Sequence, residues 1–204
     1  VIPGYGAKSG AALAGHPGID MISMTGSVES GIKVMEAAAR NLTKVNLELG
    51  GKAPALVLAD ADLDLAVKAI KNSRVINTGQ VCNAAERVYV QRPIFDRFVA
   101  ALKAKAEALK VGPSEEPGVG LGPLISAEHK QKVMAYYDKA RAEGATVVTG
   151  GGAPRMSGAL AEGHWVQPTI WTGLPETASV VREEIFGPCC HIAPFDTEEE
   201  AIAL

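Results

Sequence analysis

Two short stretches of this chain hold residues whose types and spacing could do chemistry together. The first is Leu47-Glu48-Leu49-Gly50-Gly51-Lys52-Ala53-Pro54, which puts a carboxylate in an apolar run beside two glycines. The second is Asn77-Thr78-Gly79-Gln80-Val81-Cys82-Asn83, where a lone cysteine follows a glycine and a backbone turn could present its sulfur. A thiol nucleophile and a candidate general base, separated by one strand and one helix, suggest covalent catalysis. Each residue also has a plainer reading. A free cysteine is most often a small buried hydrophobe, and a strand glutamate most often faces solvent.

The elements that must position these residues can be read from periodicity. Val45-Asn46-Leu47-Glu48-Leu49 alternates, so Val45, Leu47 and Leu49 share one side of a strand while Asn46 and Glu48 share the other. Ala55 to Leu58 reads as another strand. Asp62 looks like an N-cap for a helix with Leu63, Ala66, Val67 and Ile70 at core spacing. Cys82 then falls in a loop before the strand Val88-Tyr89-Val90. Small residues surround it and leave room for a substrate carbonyl. The nearest histidines, His16 and His129, are remote in sequence, so a Cys–His hydrolase pair has no local support.

Upstream, Val1-Ile2 reads as the tail of a strand running into the turn Gly4-Tyr5-Gly6-Ala7-Lys8-Ser9-Gly10, followed by a helix with Ala11, Ala12 and Leu13. Its spacing is G-x-G-x-x-x-G and not the dinucleotide fingerprint, so an ordinary turn is the favoured reading. Asp20 to Met24 is a short strand. Thr25-Gly26-Ser27 leads into a helix over about residues 28–40, with Ile32, Met35 and Ala39 on one face. A Gly-Ser pair at a helix start suits a pyrophosphate, and Ser27 serves equally well as a simple N-cap.

Composition sets the outer bounds. With 204 residues, 47% hydrophobic and 21% charged, the chain can bury a sizeable core. A net charge of -3 shows no basic excess, so a nucleic-acid or anionic-membrane partner has no compositional support. No apolar run approaches the roughly 18–20 residues of a membrane span. Three cysteines, two of them adjacent, make no disulfide framework and fit a reducing cytosol, so a cytoplasmic location is expected. The chain opens without Met and stops inside an apolar-periodic helix that follows Thr197. An internal piece of a longer protein is the expectation.

At this point a resemblance becomes specific. LELGGKAP around Glu48 and GQVCN around Cys82, with the Cys 34 positions after the Glu, are similar to the two active-site signatures of the aldehyde dehydrogenase superfamily. Glu183-Glu184-Ile185-Phe186-Gly187-Pro188 resembles a third family motif. Thr25-Gly26-Ser27 with Gly31 resembles a fourth. The four occur in family order across the whole chain.

The resemblance implies an α/β fold of aldehyde dehydrogenase type. Residues 1–50 would be the C-terminal part of a Rossmann-like NAD-binding domain. Residues 51–204 would be most of the α/β catalytic domain that bears the thiol, incomplete at its C-terminal end. It implies NAD as cofactor, with NADP left open, a small-molecule aldehyde as substrate, and a homo-oligomer, dimer or tetramer, in the full-length context. It assigns Cys82 as nucleophile and Glu48 as the base that activates water against the thioester. Family branches that release acyl-CoA lack a glutamate there, so Glu48 implies a carboxylate product. Gly26 and Ser27 would meet the pyrophosphate, Leu49 would lie near the nicotinamide, Glu184 would hold ribose hydroxyls, and Phe186 would pack on the nicotinamide end. The family's oxyanion-stabilising Asn and adenosine-ribose residues would lie upstream of Val1.

The rest reads as scaffold. A helix is expected from Ile94 to about Leu109 with Phe95, Phe98, Val99 and Leu102 inward, a loop over Gly118–Pro123, and a helix from Ser126 with Val133, Tyr137 and Ala140 on one face. Trp165 to Trp171 reads as a strand or extended segment interrupted by Pro168, with both tryptophans as core or edge packing rather than substrate stackers. The histidines show no ligand spacing, and no metal is expected. Residues up to about Gln91 resemble lactaldehyde dehydrogenases, and the later part resembles 2-hydroxymuconic semialdehyde dehydrogenases. The chain is therefore a mosaic or a subfamily that carries both patterns. The competing functional readings are a non-catalytic fragment that needs flanking sequence, and a cofactor-free cysteine hydrolase.

Overall fold

A computed structural model describes residues 1–204, which divide into two compact units, Val1–Gly51 and Lys52–Leu204.

In the first unit two parallel strands, β1 (Met21–Thr25) and β2 (Lys44–Glu48), pair from Met21↔Lys44 to Thr25↔Glu48. Helix α2 (Val28–Ala39) makes the crossover between them. It follows a short helix, α1 (Ala11–Ala14). Two expectations change here. The Gly-rich segment Gly6–Gly10 is itself a wide helical turn that runs straight into α1, and Val1–Ile2 pair with no strand. The face of α2 also differs: Gly31, Val34 and Ala38 point inward, while Ile32 and Met35 are about half exposed. The reason is steric. A Cβ on Gly31 would meet the Leu49 side chain at 2.7 Å, so the smallest residues allow the helix to approach the sheet. The strand parity holds, with Val45, Leu47 and Leu49 half-buried and Asn46 and Glu48 exposed.

The second unit is built on a five-stranded sheet. Its strands are β3 (Pro54–Val57), β4 (Arg87–Gln91), β7 (Thr146–Thr149), β8 (Thr169–Thr172) and β9 (Cys189–Phe195), in the order β3-β4-β9-β8-β7. All neighbours are parallel except the antiparallel edge pair β7–β8. Helices α3 (Leu63–Val75) and α4 (Phe95–Glu107) cover one face. There Val67, Ile70, Phe98, Leu102 and Ala106 pack on Val88, Val90, Ile170, Cys190 and Ile192. Helix α5 (Ala127–Ala142) covers the other with Val133, Tyr137 and Ala140 against Trp171 and Cys189. Helices on both faces explain why β4 is buried through its middle and β9 over residues 189–192. Asp62 and Ser126 cap α3 and α5, accepting from the N–H groups of Leu65 and His129.

Three details refine the expectation. The segment 118–123 contains a short strand, β6 (Val119–Leu121), which pairs with β5 (Lys110–Val111) just after α4. Strand β8 begins only after Pro168, whose missing N–H excludes it from the ladder. The residues Cys189–Phe195, not foreseen as a strand, form its centre. Short helices α6 (Ser179–Arg182) and α7 (Glu198–Ala203) complete the unit, and no helix is long and apolar enough to cross a membrane.

His191 lies in β9, 2% exposed, and its Nε2 accepts a hydrogen bond from the Leu174 N–H at 3.3 Å. Burial first, and the nearby Lys52 charge second, hold its imidazole neutral and push its pKa from 6.5 down to about 4. A base depressed in the fold contributes its stability above pH 6.5 and loses it as pH falls toward 4. The loss amounts to about 3 kcal/mol. Urea midpoints measured across that window should fall more steeply for the wild type than for His191→Gln, whose side chain keeps an acceptor without titrating.

Candidate functional site

Each unit presents one half of the predicted site: the first at the carboxyl ends of β1 and β2, where open α/β sheets place ligands, and the second in the segments that enter β4 and β9 at their amino ends. In the first unit β1 runs out at Thr25 into Gly26-Ser27, and β2 runs out at Glu48 into Leu49. The two ends are tied by the Gly26 N–H, which donates to the Glu48 carbonyl at 3.0 Å. Ser27 caps α2: its Oγ accepts from the Ser30 N–H at 3.1 Å and its carbonyl from the Gly31 N–H. That settles the local role of Ser27 and leaves the amides of Val28 and Glu29 without intrachain partners, at the positive end of a 12-residue helix. The Glu48 carboxylate stands exposed on the polar side of β2, as its parity requires, and Leu49 turns inward against Gly31.

In the second unit Cys82 sits in the connection from α3 to β4. The chain leaves α3 through a tight turn in which Asn77, Thr78 and Gly79 all adopt positive φ (48°, 58° and 75°). Side chains hold this unusual path. Asn77 Nδ2 donates to the Gln80 carbonyl, Gln80 Nε2 returns a bond to the Asn77 carbonyl, and Thr78 Oγ1 donates to the Gly122 carbonyl. Gly79 has a second reason to lack a side chain, since a Cβ there would collide with the Gly187 carbonyl. A turn closed by the Ala84 N–H on the Val81 carbonyl then lifts Cys82 into solvent. Its own N–H is left without an intrachain acceptor, available to a developing oxyanion.

The three thiols differ sharply. Cys189 and Cys190 are buried in β9, where desolvation pushes the Cys190 thiol up to about 11 and Cys189 higher still. Such thiols are inert as nucleophiles. Only Cys82 is exposed.

The motif over residues 183–188 packs beside the cysteine loop. Glu183 turns to the surface of α5, accepting from Tyr136 Oη at 2.9 Å and pairing with Lys139 at 3.3 Å. Those two contacts lower its pKa against the opposing effect of burial. Glu184 and Phe186 are half-buried. The backbone at Phe186 is left-handed, with φ 64°, a costly conformation for an aromatic residue.

Sequence reasoning missed the group that joins these two segments. Glu86, four residues after Cys82, is buried, and its carboxylate meets Lys52 Nζ at 2.5 Å. Lys52 also donates to the Val180 carbonyl at 2.9 Å. Removing one partner of such a pair generally costs about 3–5 kcal/mol. No local pattern signals this pair, since its two members lie 34 residues apart in the chain.

A three-layer α/β unit with one exposed thiol on a strained loop and a βαβ unit with a capped Gly-Ser helix start together define an α/β protein of dinucleotide-binding architecture. The description of the Aldehyde dehydrogenase family fits residues 1–204, and the chain belongs to that family. It is 56% identical over its whole length to 2-hydroxymuconic semialdehyde dehydrogenase of Pseudomonas sp. (strain CF600). It is 48% identical, again over its whole length, to lactaldehyde dehydrogenase of Escherichia coli (strain K12). The chain spans 42% of each of these relatives. Among solved structures, betaine aldehyde dehydrogenase from Staphylococcus aureus in complex with NAD+ superposes with a TM-score of 0.94 at 40% identity, covering 99% of this chain and 40% of that one.

Proposed function

We propose that this chain carries the nucleophile and the deacylating base of an NAD-dependent aldehyde dehydrogenase, and that it works within a polypeptide of family length. The observation that carries the reading is Cys82: the one exposed thiol, raised on a left-handed turn, with an unengaged amide N–H beside it. In this reading residues 1–50 close the NAD-binding domain and residues 51–204 form most of the catalytic domain.

Cys82 as thiolate adds to the aldehyde carbon to give a thiohemiacetal, and its N–H supports the oxyanion. NAD, when bound, supplies the hydride acceptor that brings the carbon to the acyl level. The acyl group is then held as a thioester on Cys82. Glu48 takes a proton from water as the water adds to that carbonyl. Collapse of the tetrahedral adduct breaks the C–S bond, frees the carboxylic acid and returns the thiol. The groups present fit the cofactor. The start of α2 at Gly26-Ser27, with two free amides, suits a pyrophosphate. Leu49 and Phe186 offer apolar contact at the nicotinamide end, and Glu184 offers a carboxylate for ribose hydroxyls. NADP use is left open by these residues.

For substrate we favour an unsaturated dicarboxylic semialdehyde over lactaldehyde, supported by 56% against 48% identity to the respective relatives. A cytoplasmic homo-oligomer is part of the same proposal.

The full-length polypeptide should form NADH with 2-hydroxymuconic semialdehyde at a kcat/KM at least about tenfold above that with lactaldehyde, followed by absorbance. Ester hydrolysis without NADH formation from any aldehyde would replace this reading by a cofactor-free cysteine hydrolase. Neither activity would leave a non-catalytic binding module.

A further inference from the structure

The backbone around Phe186 is held at four polar atoms. The Phe186 N–H donates to Glu86 Oε1 at 2.9 Å, and the preceding N–H, of Ile185, donates to Glu86 Oε2 at 3.2 Å. Its carbonyl accepts from His129 Nε2 at 2.6 Å, and the His129 ring meets the Phe186 ring edge-on with centroids 5.9 Å apart. A carbonyl acceptor fixes the proton on that nitrogen. The next carbonyl, of Gly187, accepts from the buried Arg74 guanidinium, which also lies 3.8 Å from Glu86 Oε1. Glu86 is itself moored to the sheet, its own carbonyl accepting from the His191 N–H at 3.0 Å.

A strained φ in a bulky residue persists only where its surroundings over-determine it. Here three side chains from three different elements do so: Glu86 from the end of the cysteine loop, His129 from α5, and Arg74 from α3. Lys52 neutralises the carboxylate without competing for the two amides.

We propose that Glu86 is a positioning residue which, with His129 and Arg74, clamps the Ile185–Gly187 backbone and so fixes Phe186 and Glu184 relative to the Cys82 loop. The proposal rests on the functional reading above in assigning Phe186 and Glu184 to the cofactor. The nucleophile and the cofactor-facing residues then move as one body, because Glu86, which grips the Ile185–Phe186 backbone, stands only four residues after Cys82. Neither Glu86 nor His129 needs to touch substrate.

Glu86→Gln tests this in the full-length polypeptide. A glutamine oxygen can accept from one of the two amides only, and its NH2 group opposes the other. Amide hydrogen exchange over residues 183–188 in the cofactor-free protein should accelerate at least about tenfold, and the Kd for NAD should rise by about tenfold, with kcat changed less. His129→Leu should act in the same direction and His129→Gln, which keeps a donor, should recover most of the loss. Tyr137→Phe removes a buried hydrogen bond to the Gln167 carbonyl away from the clamp. It should lower the urea midpoint and leave both readouts at wild-type values. If Glu86→Gln lowers the midpoint while exchange and NAD affinity stay unchanged, Glu86 is a core ion pair and the proposal fails. If the wild type binds no NAD, the functional reading fails, and the exchange comparison alone still decides whether the clamp exists.

Discussion

Cys82→Ala is expected to abolish NADH formation and ester hydrolysis together, each by at least about 10^4-fold, while the folded protein still binds NAD. Removing a catalytic nucleophile outright commonly costs about that much, and what remains comes from binding and oxyanion support. The loss should be clean here because no other thiol can substitute. Cys189 and Cys190 lie buried in β9 with their thiols held protonated. Cys82→Ala should also leave the fold intact, because the sulfur is exposed and the loop is held by Asn77, Thr78, Gln80 and Glu86. The check is steady-state assay of both activities beside an unchanged urea midpoint. Retained turnover with either substrate would remove Cys82 from the mechanism.

The parts of the site that follow from local pattern were legible in the sequence. Alternation through Val45–Leu49 put Glu48 on the polar side of β2, and it is exposed there. The Ser27, Asp62 and Ser126 caps follow from residue type at a helix start and are observed as hydrogen bonds. The inward residues Val133, Tyr137 and Ala140 of α5 follow from helical spacing. What failed was set by partners far away in the chain. The largest apolar residues of α2 suggest one face, yet the neighbouring Leu49 leaves room only for Gly31, and the buried side carries the small residues Gly31 and Ala38. Central strand β9 carries a histidine and a proline in a seven-residue run, so no apolar pattern announced it; parallel pairing with β4 and β8 makes it a strand.

Glu86 is the instructive miss. In sequence it is a charged residue in a loop, which solvent would satisfy. In the fold, Lys52 lies 34 residues away and Phe186 100 residues away, and they converge on the same carboxylate. No local rule can report such a meeting, because it is produced by strand order. The same holds for Arg74, a cationic residue on the buried side of α3 whose acceptor, the Gly187 carbonyl, is 113 residues distant.

Glu48→Gln should separate the two halves of the reaction. The thiol attack and the oxidation of the aldehyde do not need a base at Glu48, so the variant should release about one equivalent of NADH per site in a burst. Steady turnover should then fall by about 10^2–10^4-fold, the usual contribution of a positioned general base. The acyl group should remain on Cys82 and be visible as a mass increment on the intact protein. Glutamine preserves the shape of the side chain at an exposed position of β2, so a folding defect cannot produce that pattern. An added thiol, which needs little help from a base to attack a thioester, should restore turnover in proportion to its concentration by carrying off the acyl group. A variant that shows no burst, or that turns over at the wild-type rate, would assign the deacylating base to another residue. A burst without accumulated acyl-enzyme would place the slow step after hydrolysis and leave Glu48 outside it.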